Sequence, residues 1–221
     1  DSEIRKNDKD LMTLVSVMSE AIGIFKMPID GHIKFKKQII SIDKTASDNF
    51  RRTDQIQKEK LRHICNSSNQ HIFRDFPSLM PLEVKLKEYA VSYFSETGFD
   101  CKEVVITDAW LNVGAKNATL ATHLHHNSFL SGTYFINYDP KVHSQLKFFN
   151  DRLMNGTERK PFLSVPASDK KTSFNSREIG LQINEGGIIY WKSHLLHGFS
   201  KPNVDNNRIT LSFNMMPKIC Q

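Results

Sequence analysis

The segment Val104-Val105-Ile106-Thr107-Asp108-Ala109-Trp110-Leu111-Asn112-Val113 opens a series of short β-favouring runs that continues to the end of the chain. Read by two-residue alternation and β-branched content, the strands fall at 104–113, 119–126, 129–138, 146–150, 187–192 and 208–215. Between them lie turn signals: Gly114-Ala115-Lys116-Asn117, Asp139-Pro140, Asn155-Gly156, Glu185-Gly186-Gly187 and Pro202-Asn203. A parallel sheet needs a crossover of a dozen or more residues after each strand, and no such alternation of strand and helix is present. Successive antiparallel strands close most simply as a double-sheet barrel or jelly roll. The stretch 151–176, rich in Lys, Ser, Pro and Asn, reads as a long loop or lid.

The region before Val104 has a different texture. After Pro81, residues Leu82, Leu86, Tyr89, Ala90, Tyr93 and Phe94 recur at three- and four-residue steps, and Gly98 supplies a stop, so a helix with one apolar stripe is expected. A weaker helical pattern starts near Thr53 or Asp54 and runs through Ile56, Leu61 and Ile64, whereas Ile39-Ile40-Ser41-Ile42 reads as an early strand. The fold expected is therefore mostly β with N-terminal helices: residues 1–103 form a helical and strand support packed on a core of residues 104–221, in one structural domain. Trp110 and Trp191 are expected in the core. The basic run Lys34-Phe35-Lys36-Lys37 reads as a solvated strand edge rather than a nucleic-acid patch.

With 221 residues, 39% hydrophobic and 24% charged, the chain can bury a core and is not of disordered composition. The stretch 11–25 is interrupted by Ser16, Ser19 and Glu20 and is shorter than a membrane span, which excludes a transmembrane reading. Cys65, Cys101 and Cys220 are odd in number and widely separated, so neither a disulfide framework nor a thiolate zinc site is indicated, and a cytoplasmic setting is the default. Thirty Lys and Arg against twenty-four Asp and Glu give a net charge of +6, which suits an acidic ligand without demanding one.

Histidine is where the pattern departs from chance. Of nine, His123, His125 and His126 fall within four positions, and His194 and His197 within another four. The period of a strand sends His123 and His125 to one face, about 6–7 Å apart at the backbone, so that two imidazoles can converge on one ion. A third ligand from a distant strand completes one triangular face of an octahedron and leaves three positions open, the arrangement used by non-haem Fe(II) oxygenases. His197 is the candidate, ahead of His194, because the pattern W-x-S-x-L-x-H ends there. A histidine on a strand is also commonly a structural or surface residue, and spacing alone leaves that alternative standing.

Three blocks carry more than spacing: His123-Leu124-His125 followed by Ser131-Gly132-Thr133-Tyr134-Phe135; Gly186-Gly187-Ile188-Ile189-Tyr190-Trp191 leading to His197; and Arg208-Ile209-Thr210-Leu211-Ser212-Phe213-Asn214. In order, spacing and strand context they resemble the 2-oxoglutarate- and Fe(II)-dependent oxygenases, and in particular a branch also found in phage genomes. The resemblance covers about 104–217 and implies a double-stranded β-helix, a cupin-like jelly roll supported by helices. It implies that His123, His125 and His197 are metal ligands and catalytic, and that Arg208 and Thr210 grip the far carboxylate of 2-oxoglutarate. It also implies polar co-substrate contacts near Asn112 and Tyr134, and Fe(II), 2-oxoglutarate and O2 as cofactor and co-substrates. His126 and His194 are left as outer or substrate-facing residues.

One departure from the resemblance concerns charge. The usual second ligand is a carboxylate in H-x-D or H-x-E, and here it is His125, so three neutral imidazoles would leave the ion its full double charge. A carboxylate from elsewhere, such as Asp151, stays open as a supplement. The reaction implied is hydroxylation coupled to oxidative decarboxylation of 2-oxoglutarate, on a peptide, nucleotide or small metabolite that neither spacing nor resemblance identifies. The rival from another class is a non-catalytic jelly-roll module that binds metal or supports an assembly. Nucleic acid as a partner is compatible with the positive charge but is not favoured.

Overall fold

A computed structural model describes residues 5–6, 13–14, 19–46, 51–52, 60–65, 70–150, 169–170, 172, 175–199 and 201–218. Ten strands and two long helices build the site and its support. The strands are β1 (Ile22–Lys26), β2 (Leu61–Ile64), β3 (Val104–Gly114), β4 (Leu120–His123), β5 (Leu130–Asn137), β6 (Lys147–Phe149), β7 (Glu178–Gly180), β8 (Gly187–Lys192), β9 (His197–Phe199) and β10 (Arg208–Pro217). The helices are α1 (Ile29–Thr45) and α2 (Met80–Glu96). The large sheet runs β1-β8-β5-β10-β3-β2 and ends on the two-residue strand Arg51–Arg52; the small sheet runs β7-β6-β9-β4. All pairings of these strands are antiparallel. This is the jelly roll read from the strand pattern.

The large sheet has two dry faces, and strand alternation assigns residues to them. One face meets the helices: Leu82, Leu86, Ala90, Tyr93 and Phe94 of α2 and Phe35, Ile39 and Ile42 of α1 share a core with Leu111, Tyr134, Tyr190, Leu211 and Phe213. The other face meets the small sheet through Phe135, Phe148, Ile189, Trp191 and Phe199. Each such side chain contributes about 1.5–3 kcal/mol by leaving water, so the helices are held by this face rather than by propensity. Helix α2 begins with Pro81 in its first turn and ends at Gly98, whose φ of 83° lets Phe99 N–H return to Phe94 O at 2.8 Å.

Two local expectations are corrected. Residues 39–42 are not a strand but the second half of α1, because His32, Phe35, Ile39 and Ile42 make a buried stripe at three- and four-residue steps that only a helix presents to the sheet. The weak helix over 53–64 is not observed at its end: Leu61–Ile64 is strand β2, pairing with β3 from Leu61 opposite Gly114 to Ile64 opposite Leu111; residues 53–59 lie outside the described residues. The basic run at 34–37 accordingly sits on α1, with Phe35 buried and Lys36 paired to Glu185 at 2.7 Å. Most of 151–176 lies outside the described residues. No helix among the described residues is long and apolar enough to cross a membrane.

Register shifts occur in β9 between His197 and Phe199, between β10 and β5 at Ile209 and Thr210, and on β3, where the shift shapes the mouth of the site. Against β10, Asp108 pairs with Asn214 while Ile106 pairs with Met215, so Thr107 is an extra residue. Val104 and Ile106 before it, and Ala109, Leu111 and Val113 after it, all belong to the helix-side core. The bulge thereby turns Asp108, Trp110 and Asn112 to the opposite face, into the mouth between the two sheets.

Candidate metal and co-substrate site

His123 closes strand β4, and His197 opens β9 directly opposite it. The backbone then leaves β4, and His125 N–H bonds Ser193 O at 3.0 Å, which swings the His125 ring back toward the pair. The sequence pattern predicts a strand over all of 119–126; β4 is only its middle. Gly198 allows the close approach of β9 to β4, since a Cβ there would sit 2.9 Å from Leu120 O and 3.0 Å from Ala121 O. The outcome is a cluster in which one nitrogen from each of His123, His125 and His197 lies within 4.8 Å of the others, the one group among the described residues with that property. Asp151 lies outside the described residues.

The protonation states suit ligation. His123 Nδ1 and His197 Nδ1 each lie 2.8 Å from a carbonyl two residues back, Ala121 O and Leu195 O. A carbonyl only accepts, so both Nδ1 atoms carry the proton and both Nε2 lone pairs face the cluster. Burial, reinforced by the adjacent His123 ring, lowers His125 to about 4 and His197 to about 3; Asp108 draws His125 partly back. These two imidazoles are neutral at pH 7. His197 is fixed further by the Trp191 ring at 4.8 Å, and His125 lies parallel to Trp110 at 6.1 Å.

From the histidines a cleft continues inward past Asn112, Thr133 and Ser212 to Arg208 and Thr210. Arg208 is 2% exposed, and burial lowers it to about 10, so it remains a cation at pH 7. Its Nε donates to Ser144 O at 3.2 Å, one terminal nitrogen reaches Thr210 Oγ1 at 3.4 Å, and the Phe199 ring lies 4.6 Å from its central carbon. Among the described residues no carboxylate lies within ion-pair distance of it. An unpaired buried charge is costly by several kcal/mol, which marks this end as built for an anion. Trp191 Nε1, buried in the wall beside His197, likewise meets no acceptor among the described residues.

Six of the seven residues singled out from the sequence thus line one cleft, and the seventh does not. Asn112 accepts from Trp110 Nε1 at 3.1 Å and donates to Ser212 Oγ at 2.9 Å within that cleft. Tyr134 faces the helices instead: its hydroxyl lies 2.7 Å from His32 Nδ1, and His32 Nε2 lies 3.1 Å from Glu185. The parity of β5 puts Ser131 and Thr133 in the cleft and Tyr134 behind it, so no co-substrate contact is drawn from Tyr134. His126 is exposed, and exposed His194 pairs with Glu20 at 3.0 Å. Trp191 is core as expected, whereas half-buried Trp110 lines the cleft. Sequence reading missed Ser131, Thr133, Ser212 and Asn214; stepping by two from Thr210 would have found Ser212 and Asn214.

Known structures share this fold. Similar solved structures include a 2OG-Fe(II) oxygenase family oxidoreductase from Burkholderia pseudomallei (8% identity, TM-score 0.57, covering 88% of this chain and 83% of that one). A prolyl-4-hydroxylase from Pseudomonas putida aligns at 11% identity and TM-score 0.53, over 90% and 94% of the two chains. HygX from Streptomyces hygroscopicus, solved with nickel, 2-oxoglutarate and hygromycin B, aligns at 8% identity and TM-score 0.58, over 90% and 84%. At these identities the likeness is one of fold. No curated protein sequence matches the chain. The sequence adds a second likeness: residues 108–214 fit the model described as putative 2OG-Fe(II) oxygenase, a span that holds all three histidines and Arg208. Over that span the chain is similar to the 2-oxoglutarate- and Fe(II)-dependent oxygenases, a family that uses Fe(II), 2-oxoglutarate and O2.

Proposed function

We propose that this chain is a non-haem dioxygenase that couples oxidative decarboxylation of 2-oxoglutarate to hydroxylation of a second substrate. The observation that carries the reading is the buried, carboxylate-free Arg208 at the inner end of the cleft whose middle holds the three histidines. An iron ion fits the donor set, because two Nε2 lone pairs are fixed by Nδ1–H bonds to carbonyls and the rings of His125 and His197 are held neutral. When bound, Fe(II) with 2-oxoglutarate supplies the activation of O2.

The chain's own contribution is placement. Arg208 offers a planar fork of donors to the distal carboxylate, and Thr210 Oγ1 beside it offers a hydroxyl. Asn112, Thr133 and Ser212 line the stretch between with small neutral groups, while Phe148, Trp191 and Phe199 exclude water from the inner wall. Anaerobic addition of Fe(II) and 2-oxoglutarate to the purified protein is expected to give a visible charge-transfer band, and admission of O2 to give succinate. The all-histidine donor set favours one rival, a metal-binding module without turnover; bound iron with neither band nor succinate would establish that rival instead.

A further inference from the structure

The outer end of the cleft has its own chemistry. It is lined by Asp108, Trp110, Gln70, Asn127 and Asn214 together with the faces of His123 and His125. In a chain of net charge +6, no lysine or arginine among the described residues lines it, and Asp108 is its one carboxylate. Asp108 Oδ2 accepts from Thr107 Oγ1 at 2.8 Å; among the described residues Oδ1 accepts no hydrogen bond and no cation lies within ion-pair distance. The bulge at Thr107 is what turns this side chain into the cleft rather than onto the helices. Beside it stands the half-buried indole of Trp110, whose π-face attracts cations.

The two ends are therefore of opposite sign. Arg208 and Asn214, the residue opposite Asp108, are six positions apart on β10, about 20 Å at strand rise, with the histidines facing the stretch between. An anion suits only the inner end and a cation only the outer.

We propose that the primary substrate is a small organic cation, an ammonium group on a flat or apolar skeleton, held by Asp108 and stacked on Trp110 at the outer face of the histidine centre. This rests on the reading of that centre as the reaction site and adds the substrate's charge and shape. Because Asp108 and Trp110 lie on the same strand face two residues apart, one ligand can meet both. A carboxylate-bearing substrate would meet repulsion at Asp108 with no compensating cation along the described wall.

The test uses three probes of one skeleton: phenethylamine, 2-phenylethanol and phenylacetate, titrated into the purified protein while tryptophan fluorescence is followed. The titration is run with the protein alone and again with Fe(II) and 2-oxoglutarate under nitrogen. Phenethylamine is expected to saturate at about tenfold lower concentration than either other probe, with Asp108→Asn removing most of that preference, Asp108→Glu keeping it, and Trp110→Phe abolishing the fluorescence change. Equal binding of the three probes, no saturation by the amine, or an amine preference that survives Asp108→Asn overturns the proposal. The Fe(II)–2-oxoglutarate band is scored separately on the unaltered protein. An amine preference without the band removes the oxygenase reading alone, and the band without an amine preference removes this one alone.

Discussion

The two faces of the large sheet bury comparable polar groups and treat them in opposite ways. On the helix side, Tyr134, His32, Glu185 and Lys36 form a closed chain: the hydroxyl to Nδ1 at 2.7 Å, Nε2 to the carboxylate at 3.1 Å, and the carboxylate to Nζ at 2.7 Å. Burial raises the Tyr134 hydroxyl far above its ordinary value, so it donates, and His32 directs its own proton to Glu185. On the cleft side the corresponding groups are fixed at one end and open at the other. His123 and His197 commit Nδ1 to backbone carbonyls and leave Nε2 toward a common point, while Arg208 has neutral partners only. A satisfied network is a fastener; one left incomplete by the chain is a receptor.

The contrast is broken most severely at a ligand. His197→Ala is expected to lower Fe(II) affinity by more than about 100-fold, beyond the range of outer-sphere partners, and to eliminate succinate formation; metal analysis after dialysis and product assay read both. Arg208→Gln comes next, raising the KM for 2-oxoglutarate by at least about thirtyfold, the equivalent of about 2 kcal/mol for a buried charge partner. Acid sharpens the comparison from another side. The folded state holds His125 and His197 below their ordinary 6.5, near 4 and 3, so the stability they confer is complete above pH 6.5 and is lost as pH falls toward those values. Urea unfolding of the metal-free protein at pH 7, 5.5 and 4.5 should show that decline, less steep in His125→Gln. The helix side gives the smallest functional effect: His32→Ala is expected to cost about 1–3 kcal/mol of stability while iron content stays within twofold.

Much of the architecture is legible in the amino-acid sequence, and the illegible parts share a cause. The strands at 104–113, 129–138, 187–192 and 208–215 are readable because β-branched and aromatic runs bounded by turn signals mark strands that are buried at most of their residues, and α2 because its stripe, Pro81 and Gly98 agree. The histidine pair is readable from spacing, although the rings converge by a turn after His123 and not by strand alternation. Helix α1 hides behind Ile39-Ile40-Ser41-Ile42, a β-branched run whose local preference yields to the sheet it packs on. Strand β2 hides because its pairing residues on β3, Leu111 to Gly114, lie about fifty positions onward. Facing is opaque for a subtler reason: Tyr134 sits on a strand buried on both faces, so burial does not tell its sides apart, and the parity of Asp108 depends on an irregularity that composition does not announce.

That irregularity bears on how relatives should be compared with this chain. Odd positions of β3 meet the helices after Thr107 and even positions do so before it. A homologue lacking the extra residue would have to shift one half of the strand by a single place to keep both halves correctly buried. Its counterpart of Trp110 would then be found only by opening a one-residue gap there, and an ungapped superposition of the two sequences would equate a wall of the reaction chamber with a buttress of the scaffold.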